Sequence, residues 1–336
     1  MTDLRILWLT PDKPDEISVG RERIADHLET AGHDVTLRGT TARTIARSLR
    51  DRGRFDIVVG TTRLGAIAGV VVSRVHGVPL VVDHIDPIRQ LRATEPDAVV
   101  RTVRRLEHLA FRLAAHVLYV YPEEESRLDG RATATSKTDL GVEYERFADP
   151  DPAVVERTRE RLGTVPNKLA VYIGGLEPMY EIEALLEAAD ELDDWTLLVI
   201  GAGSLEPSVE REAADSESIR FLGTVPHKEV PGYLHFADVG VSLVDDPYTL
   251  KILEYGAAGL NVVQRAGRAE SRFGGLVEYC STEPASIRAA VERASDGTRG
   301  EALQQYVRKF SWNTIADDYR RAIEVIPLDR TDHPRV

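Results

Sequence analysis

Short apolar runs rich in β-branched residues alternate with helical patterns along nearly the whole chain, and this alternation constrains the fold most. In the first half the runs cover residues 4–9, 34–38, 56–60, 79–83 and 116–120. Runs such as IVVG and VLYV lack alternating polar residues, which favours strands buried on both faces. Helices between such strands supply the crossovers of a parallel sheet. The first half is therefore predicted to be a doubly wound α/β domain.

The alternation restarts after a segment with two prolines at residues 147–152, where we place the linker. Further runs cover residues 169–175, 195–201, 218–223, 237–244, 260–264 and 276–280. A chain of 336 residues suits two domains of about 150 residues each. We predict an N-terminal domain over 1–148, a C-terminal domain over 149–311, a closing helix over 312–328 and a flexible tail over 329–336.

The composition excludes several classes of protein. Acids outnumber bases 55 to 42, and arginine greatly outnumbers lysine, a balance seen in proteins adapted to high salt. The resulting negative net charge disfavours nucleic-acid binding. No apolar run approaches the roughly 20 residues of a membrane span, and the amino terminus is unlike a signal peptide. We expect a cytoplasmic protein, with attachment to the inner face of the membrane left open. The single cysteine, Cys280, is expected to be a buried thiol.

The segment 237–263 carries the most specific chemistry. A predicted buried strand ends near Asp246, and a helix begins near Thr249. The N–H groups of Thr249, Leu250 and Lys251 would lie at the positive end of the helix dipole, which suits a diphosphate. Lys251 adds a mobile charge, and Glu254 could accept hydrogen bonds from the vicinal hydroxyls of a ribose. The competing interpretation is a plain i,i+3 ion pair between Lys251 and Glu254.

At this point the sequence resembles glycosyltransferase family 4. Asp246 and Glu254 have the spacing of that family's two acids, and LKILEYGAAGLNVV continues as its helix does. LLVIGAGSLEPSVE at 197–210, IRFLGTVPHKEVPGYLHFADVGVSL at 219–243 and FSWNTIADDYRRAIEVI at 310–326 resemble further segments of the family. The resemblance implies the GT-B fold, with two facing Rossmann-like α/β domains, parallel sheets and a C-terminal helix that crosses back to the N-domain.

The resemblance also implies a function. It is the transfer of a sugar, with retention of configuration, from a UDP- or GDP-linked sugar to a glycan, lipid-linked or small-molecule acceptor. No cofactor and no metal would be required. A sugar-nucleotide epimerase or hydrolase of the same fold, or a non-catalytic paralogue that binds nucleotide sugars, remains the alternative. A nicotinamide dehydrogenase is disfavoured because the loop after the first strand lacks GxGxxG.

The resemblance assigns roles to individual residues. Glu254 would bind the ribose, and Asp246, which replaces the usual glutamate, would touch the donor sugar. Donor contacts are further implied for Gly20, in a loop, and for Gly223, Thr224 and Val225 against the base. The family usually has an arginine and a lysine against the diphosphate, where this chain has Gly175 and Tyr180. Both cations are therefore missing from their usual places.

In the first half, the string 81–91 follows a predicted strand and brings Asp83, His84 and Asp86 to its carboxyl edge. Relatives often keep a histidine or acid here that faces the transferred sugar, so we favour His84 and then Asp86 as catalytic groups. A histidine that caps a strand end is the competing interpretation. Two acids and one histidine on a short loop predict a metal site only weakly.

Residues 88–112 are rich in arginine and have two interpretations. The arginines are Arg89, Arg92, Arg101, Arg104, Arg105 and Arg112. A basic helix could hold the protein on anionic lipid. Alternatively, the helix has a solvated face with ion pairs to Glu95, Asp97 and Glu107.

Overall fold

A computed structural model describes residues 3–11, 19–164 and 168–328. The chain divides into two compact units: unit 1 comprises Met1–Gly141 and Trp312–Val336, and unit 2 comprises Val142–Ser311. Most of the loop after the first strand, the first two residues of the amino terminus and the tail 329–336 lie outside the described residues.

Strands and helices alternate along the described chain largely as expected. The strands are β1 (Arg5–Leu9), β2 (Asp34–Arg38), β3 (Ile57–Thr61), β4 (Leu80–His84), β5 (His116–Tyr119), β6 (Thr135–Lys137), β7 (Lys168–Ile173), β8 (Trp195–Ile200), β9 (Ile219–Phe221), β10 (Val239–Ser242), β11 (Asn261–Arg265) and β12 (Glu278–Cys280). The helices are α1 (Val19–Thr30), α2 (Ala42–Arg50), α3 (Thr62–His76), α4 (Ile88–Thr94), α5 (Asp97–Leu113), α6 (Glu125–Leu128), α7 (Tyr144–Ala148), α8 (Pro152–Leu162), α9 (Ile182–Asp190), α10 (Glu206–Asp215), α11 (Val230–Phe236), α12 (Leu250–Ala257), α13 (Glu270–Phe273), α14 (Pro284–Ser295), α15 (Arg299–Val307) and α16 (Trp312–Glu324). The sequence patterns did not predict α4, α6, α7, α8, α13 or β6.

In its described residues, unit 1 is built on a parallel sheet with the strand order β2-β1-β3-β4-β5-β6. Alternate side chains of each strand point to opposite faces, and both faces are covered. Helices α1 and α16 cover one face, and α2, α3 and α5 cover the other. Helix α16 packs into the core of this unit through residues such as Ile315 and Ile323. The closing helix thus returns to the first unit, as the GT-B fold requires.

A buried carboxylate ties the layers of unit 1 together. Asp83, at the end of β4, is fully buried and accepts hydrogen bonds from Arg21 Nη2 at 2.8 Å, Tyr319 OH at 2.7 Å and Thr61 Oγ1 at 2.7 Å. Thr61 in turn accepts a bond from Trp8 Nε1 at 2.6 Å. Burial by itself lowers the pKa of Arg21, but the charge and hydrogen bond of Asp83, together with Tyr319 and Asp86, outweigh it and the net shift is upward. This cluster joins α1, α16, β3 and β4.

Gly20 lies in the first turn of α1 and not in the expected loop. A Cβ at this position would come within 2.5 Å of Trp312 Cη2 at the start of α16. The small residue is therefore explained by close packing of α1 against Trp312 within unit 1.

In the described part of unit 2, the parallel sheet has the strand order β12-β11-β10-β7-β8-β9. The unit begins at Val142, before the linker that we expected at 147–152. The Asp-Pro pair there starts a helix: Asp151 accepts a hydrogen bond from Ala153 N at 2.8 Å, and Pro152 occupies the first turn of α8. Asp and Pro are common both at helix starts and in linkers. This explains why the predicted linker lies after the observed boundary at Val142.

We predict that Asp83→Asn destabilises the protein strongly. The variant keeps the size of the side chain but leaves the buried Arg21 without a counter-charge, which costs about 3–5 kcal/mol for a buried pair. The control is Asp56→Asn, which breaks the exposed pair with Arg5 and should cost less than about 1 kcal/mol. Urea denaturation of the three proteins measures both changes. Equal losses in the two variants would contradict the role of Asp83.

Candidate functional site

The carboxyl ends of β7 and β10 lie side by side at the point where the strand order of unit 2 reverses. Crossovers leave this point in opposite directions, so the loops that follow the two strands separate and expose backbone groups. Ligands of open parallel sheets bind at such a switch point. The loop 174–176 follows β7, and the loop 243–249 joins β10 to α12.

Glycines allow the loops at this edge to pack closely. Gly174 and Gly201 both have φ of 152°, a region that side chains disfavour. A Cβ on Gly201 would overlap the carbonyl oxygen of Gly174. Gly201 N also donates to the carbonyl of Gly223 at 2.8 Å. The loops after β7, β8 and β9 therefore form one continuous backbone surface.

Helix α12 begins where the sequence predicts, with Thr249 in an extended conformation as its N-cap. The Thr249 hydroxyl makes no capping hydrogen bond to the first turn. Asp246 instead accepts a bond from Tyr248 N at 2.9 Å, which shapes the loop before the helix. Leu250 is exposed at the first helical position. The amino end of α12 thus presents its dipole at the switch point without a cap from Thr249.

The side chain of Lys251 turns back from α12 toward the loop after β7. Its Nζ lies 4.1 Å from the ring centroid of Tyr180 and 5.4 Å from that of Tyr172. A Cβ on Gly174 would come within 2.6 Å of this Nζ. Burial lowers the pKa of Lys251 to about 8, against a smaller upward effect of Glu254. Lys251 forms no ion pair with any described residue, so its charge faces the loop uncompensated.

Glu254 pairs with a histidine that sequence reasoning missed. Its Oε1 lies 2.8 Å from Nε2 of His227, whose Nδ1 is 3.8 Å from Oε2 of Glu143. The Glu254 side chain is 15% exposed and His227 is 52% exposed. The bond to Glu254 raises the pKa of His227, although burial opposes it. The expected alternative, an ion pair of Glu254 with Lys251, is wrong because each side chain has turned to another partner.

The two positions at which the sequence resemblance places cations hold other groups here. Gly175 accepts a hydrogen bond from Tyr172 OH at 2.6 Å, and the Tyr180 ring lies against it. Lys251 stands over that same ring. Lys251 of α12 therefore places a positive charge at the loop that carries these two uncharged positions.

The loop after β9 contains the remaining predicted donor contacts. Gly223 has φ of 65°, and no atom lies within 4 Å of a Cβ built there. Thr224 is exposed and Val225 is half-buried. His227 follows on the same loop, so this segment and Glu254 lie together at one edge of unit 2.

In unit 1, His84 lies in the interior and not at the surface. It is 2% exposed, its Nε2 is 2.8 Å from Oε2 of Glu124, and its ring meets Phe111 edge-on at 5.0 Å. The interpretation as a structural histidine is therefore favoured over direct contact with a sugar. Asp86 is half-buried, and its carboxylate lies 3.8 Å from Arg63 Nη1.

Glu124 belongs to a buried chain of charges that fixes the loop after β4. Its Oε1 accepts a hydrogen bond from Ile88 N at 2.8 Å, and its Oε2 also contacts Arg127. Arg127 reaches Glu107 at 2.6 Å, and Glu107 pairs with Arg63 at 3.1 Å. Burial by itself raises the pKa of Glu124, but its hydrogen bonds and the neighbouring positive charge lower it to about 2. The carboxylate stays ionised and holds the start of α4.

Comparison with known proteins agrees with this architecture. Residues 167–294 match the family model of group 1 glycosyl transferases. The solved structure of Anabaena Alr3699/HepE in complex with UDP has a TM-score of 0.75 at 18% identity, over 96% of this chain and 100% of that one. A glycosyltransferase from Rickettsia africae has a TM-score of 0.77 at 13% identity, over 97% and 99%. The chain has the GT-B fold.

A curated relative of this GT-B chain is the putative teichuronic acid biosynthesis glycosyltransferase TuaH of Bacillus subtilis. It is 27% identical over 215 residues, which cover 59% of this chain and 52% of the relative. The match therefore spans about half the length of that protein.

Within the described ranges, no three His, Cys, Asp or Glu side chains are grouped so that they could hold a metal ion. Cys280 is buried as expected, and burial raises the pKa of its thiol to about 11. None of the described helices is both long and apolar enough to span a bilayer.

We predict that the pKa of Lys251 is about 8, well below that of an ordinary lysine. Its burial against the tyrosine rings disfavours the charged form. Reductive methylation with ¹³C-formaldehyde and NMR would follow the six lysines, and Lys251→Arg identifies the resonance. Glu254→Gln should lower the value further, since it removes the neighbouring negative charge. If Lys251 titrated at the same pH as the other lysines, its burial against the tyrosine rings would be contradicted.

Proposed function

We propose that the protein is a glycosyltransferase that takes a sugar from a nucleoside diphosphate sugar bound at the carboxyl edge of the unit 2 sheet. The observation that carries this proposal is the convergence of Lys251, the amino end of α12 and Glu254 at the switch point between β7 and β10. The match to group 1 glycosyl transferases over the same unit supports it.

In this proposal the diphosphate lies between the loop after β7 and the amino end of α12. Lys251 takes over from the cations that the family carries at the positions of Gly175 and Tyr180. The N–H groups of Thr249, Leu250 and Lys251 provide the remaining donors. As the bond between the sugar and the diphosphate breaks, its electron pair moves to the phosphate oxygen, and these groups stabilise the growing charge. We propose that the reaction needs no metal because they meet this requirement.

The nucleoside lies on the other side of α12. Glu254 is proposed to bind the ribose hydroxyls, with His227 holding the carboxylate in place at 2.8 Å. Gly223, Thr224 and Val225 lie against the base. UDP is the first choice over GDP, because the solved Anabaena protein of the same fold is in complex with UDP.

The transferred sugar is proposed to contact Asp246 of unit 2. Asp86 of unit 1 stays a proposed catalytic group. His84 is given a positioning role, since it is enclosed between Glu124 and Phe111 and supports the loop that carries Asp86. Retention of configuration follows the family resemblance, and NMR of the product's anomeric carbon tests it.

The acceptor is proposed to be a glycan or a lipid-linked glycan. This choice is supported by the similarity to a putative teichuronic acid biosynthesis glycosyltransferase. A second candidate, a paralogue that binds nucleotide sugars without transfer, is favoured by the uncharged positions 175 and 180 and by the enclosed His84. Donor binding without sugar transfer or hydrolysis in a screen of cell-derived lipids and glycans would favour it. Release of an altered sugar without acceptor would instead indicate an epimerase or hydrolase.

We predict that Lys251→Met weakens UDP binding by about ten- to a hundredfold, as expected for one lost charge-assisted hydrogen bond of about 1.5–3 kcal/mol. Calorimetric titration measures the loss. Lys168→Met is the matched control, since Lys168 lies at the opposite end of β7 and stacks on Trp195. Equal UDP affinities of the Lys251 variant and the control would show that Lys251 does not contribute to binding.

We predict that the affinity for UDP falls as the pH rises through about 8, where the free enzyme loses the Lys251 proton. Below this pH the ammonium group is present and binds the diphosphate; above it the neutral amine does not. In Lys251→Met the decline should disappear. An unchanged slope in that variant would assign the pH dependence to another group.

We predict that at pH 6, where Lys251 is protonated in both proteins, Glu254→Gln weakens binding of UDP but leaves binding of inorganic pyrophosphate nearly unchanged, because Glu254 contacts only the ribose. Glu210→Gln, at an exposed position of α10, is the control. Calorimetry with both ligands separates the two contacts. A variant that loses both ligands equally would show that Glu254 shapes the site as a whole.

A further inference from the structure

Unit 1 exposes a run of large apolar side chains on two neighbouring helices. Helices α3 and α5 pack beside each other over one side of the sheet. Six of their apolar residues are between 38% and 54% exposed: Leu64, Val71, Val75, Val99, Leu106 and Leu109. The spacings of 7 and 4 residues on α3 place its three members along one stripe. These residues are concentrated on a surface that nothing in the described chain covers.

Arginines lie beside the apolar residues. Arg74 on α3 and Arg101, Arg104, Arg105 and Arg112 on α5 are all exposed. Positions 101, 105 and 112 follow one another along the outer side of α5. We call the six apolar residues and these five arginines the α3–α5 face.

The charge of the α3–α5 face is not neutralised within the protein. None of its arginines forms an ion pair with a described residue. Of the acids on the two helices, Asp97 lies in the first turn of α5, and Glu107 is buried and pairs with Arg63 and Arg127. The solvated face with ion pairs to Glu95, Asp97 and Glu107 is therefore not what the structure contains.

Two arginines of the α3–α5 face, Arg104 and Arg112, also act on a neighbouring side chain. Burial lowers the pKa of His108 on α5 to about 4, and the charges of Arg127, Arg131, Arg104 and Arg112 add to the effect. A chain with a formal net charge of -13 therefore concentrates positive potential on one surface of unit 1.

We propose that the α3–α5 face docks the protein on an anionic lipid bilayer. The apolar side chains would enter the boundary between headgroups and acyl chains, while the arginines bind lipid phosphates. A second copy of the chain is a poorer occupant because the two faces would bring like charges together. Single-stranded nucleic acid is also a poorer fit, since the face carries no aromatic side chain on which bases stack. The proposal does not depend on which sugar is transferred.

The test is flotation of the full chain with vesicles of equal parts phosphatidylglycerol and phosphatidylcholine, and with vesicles of phosphatidylcholine alone. We expect binding only to the anionic vesicles, weakened by salt. The triple variant Arg101→Gln, Arg105→Gln, Arg112→Gln should lower the partition coefficient by about fivefold per arginine, or on the order of 100-fold in all. The charge-matched control is Arg157→Gln, Arg161→Gln, Arg211→Gln, at exposed positions of α8 and α10. It should bind as the parent does.

Tryptophan variants test directly whether the α3–α5 face enters the bilayer. Leu106→Trp places a fluorophore on it, and its emission should shift to the blue with anionic vesicles, whereas Val325→Trp, after the end of α16, should not shift. Absence of vesicle binding by the parent protein at low salt, or equal binding by the two triple variants, overturns the proposal. So does sedimentation showing a dimer that the first triple variant dissociates, or binding of RNA without binding of vesicles.

Discussion

Strands buried on both faces are the constraint on which the rest of this molecule depends. Each sheet is covered by helices, so polar side chains inside the layers need partners, and free ones are confined to the strand ends. The Asp83 carboxylate is paired in this way, since Arg21, Tyr319 and Thr61 donate hydrogen bonds to it. His84 is paired with Glu124. At the edge of unit 2 where β7 and β10 diverge, polar groups are free to contact a ligand.

At that edge, positions 175 and 180 carry no cation, and Lys251 reaches the same loop from α12. The tyrosine rings hold its ammonium group by cation–π contact but also exclude water, which explains the lowered pKa. Such a lysine stays charged near neutral pH and is pre-positioned for an anion. The uncharged positions 175 and 180 therefore do not leave this loop without a cation.

The sequence predicts what depends on local signals. Buried strands, the start of α12 at Thr249 and the return of α16 follow from periodicity, helix chemistry or resemblance. Contacts between distant positions could not be predicted: Glu124 lies 40 residues from His84, and His227 lies 27 residues from Glu254. The boundary was misplaced because Asp151 caps a helix with residues that also make linkers.

The central claim is that one edge of unit 2 binds a nucleoside diphosphate through Lys251, the amino end of α12 and Glu254. A crystal structure of the complex with UDP tests it most directly. The account predicts phosphate oxygens within hydrogen-bond distance of Lys251 Nζ and of the N–H groups at 249–251, with the ribose hydroxyls on Glu254. A diphosphate bound away from α12, with Lys251 still resting on Tyr180 and Glu254 making no contact with the ribose, would contradict it.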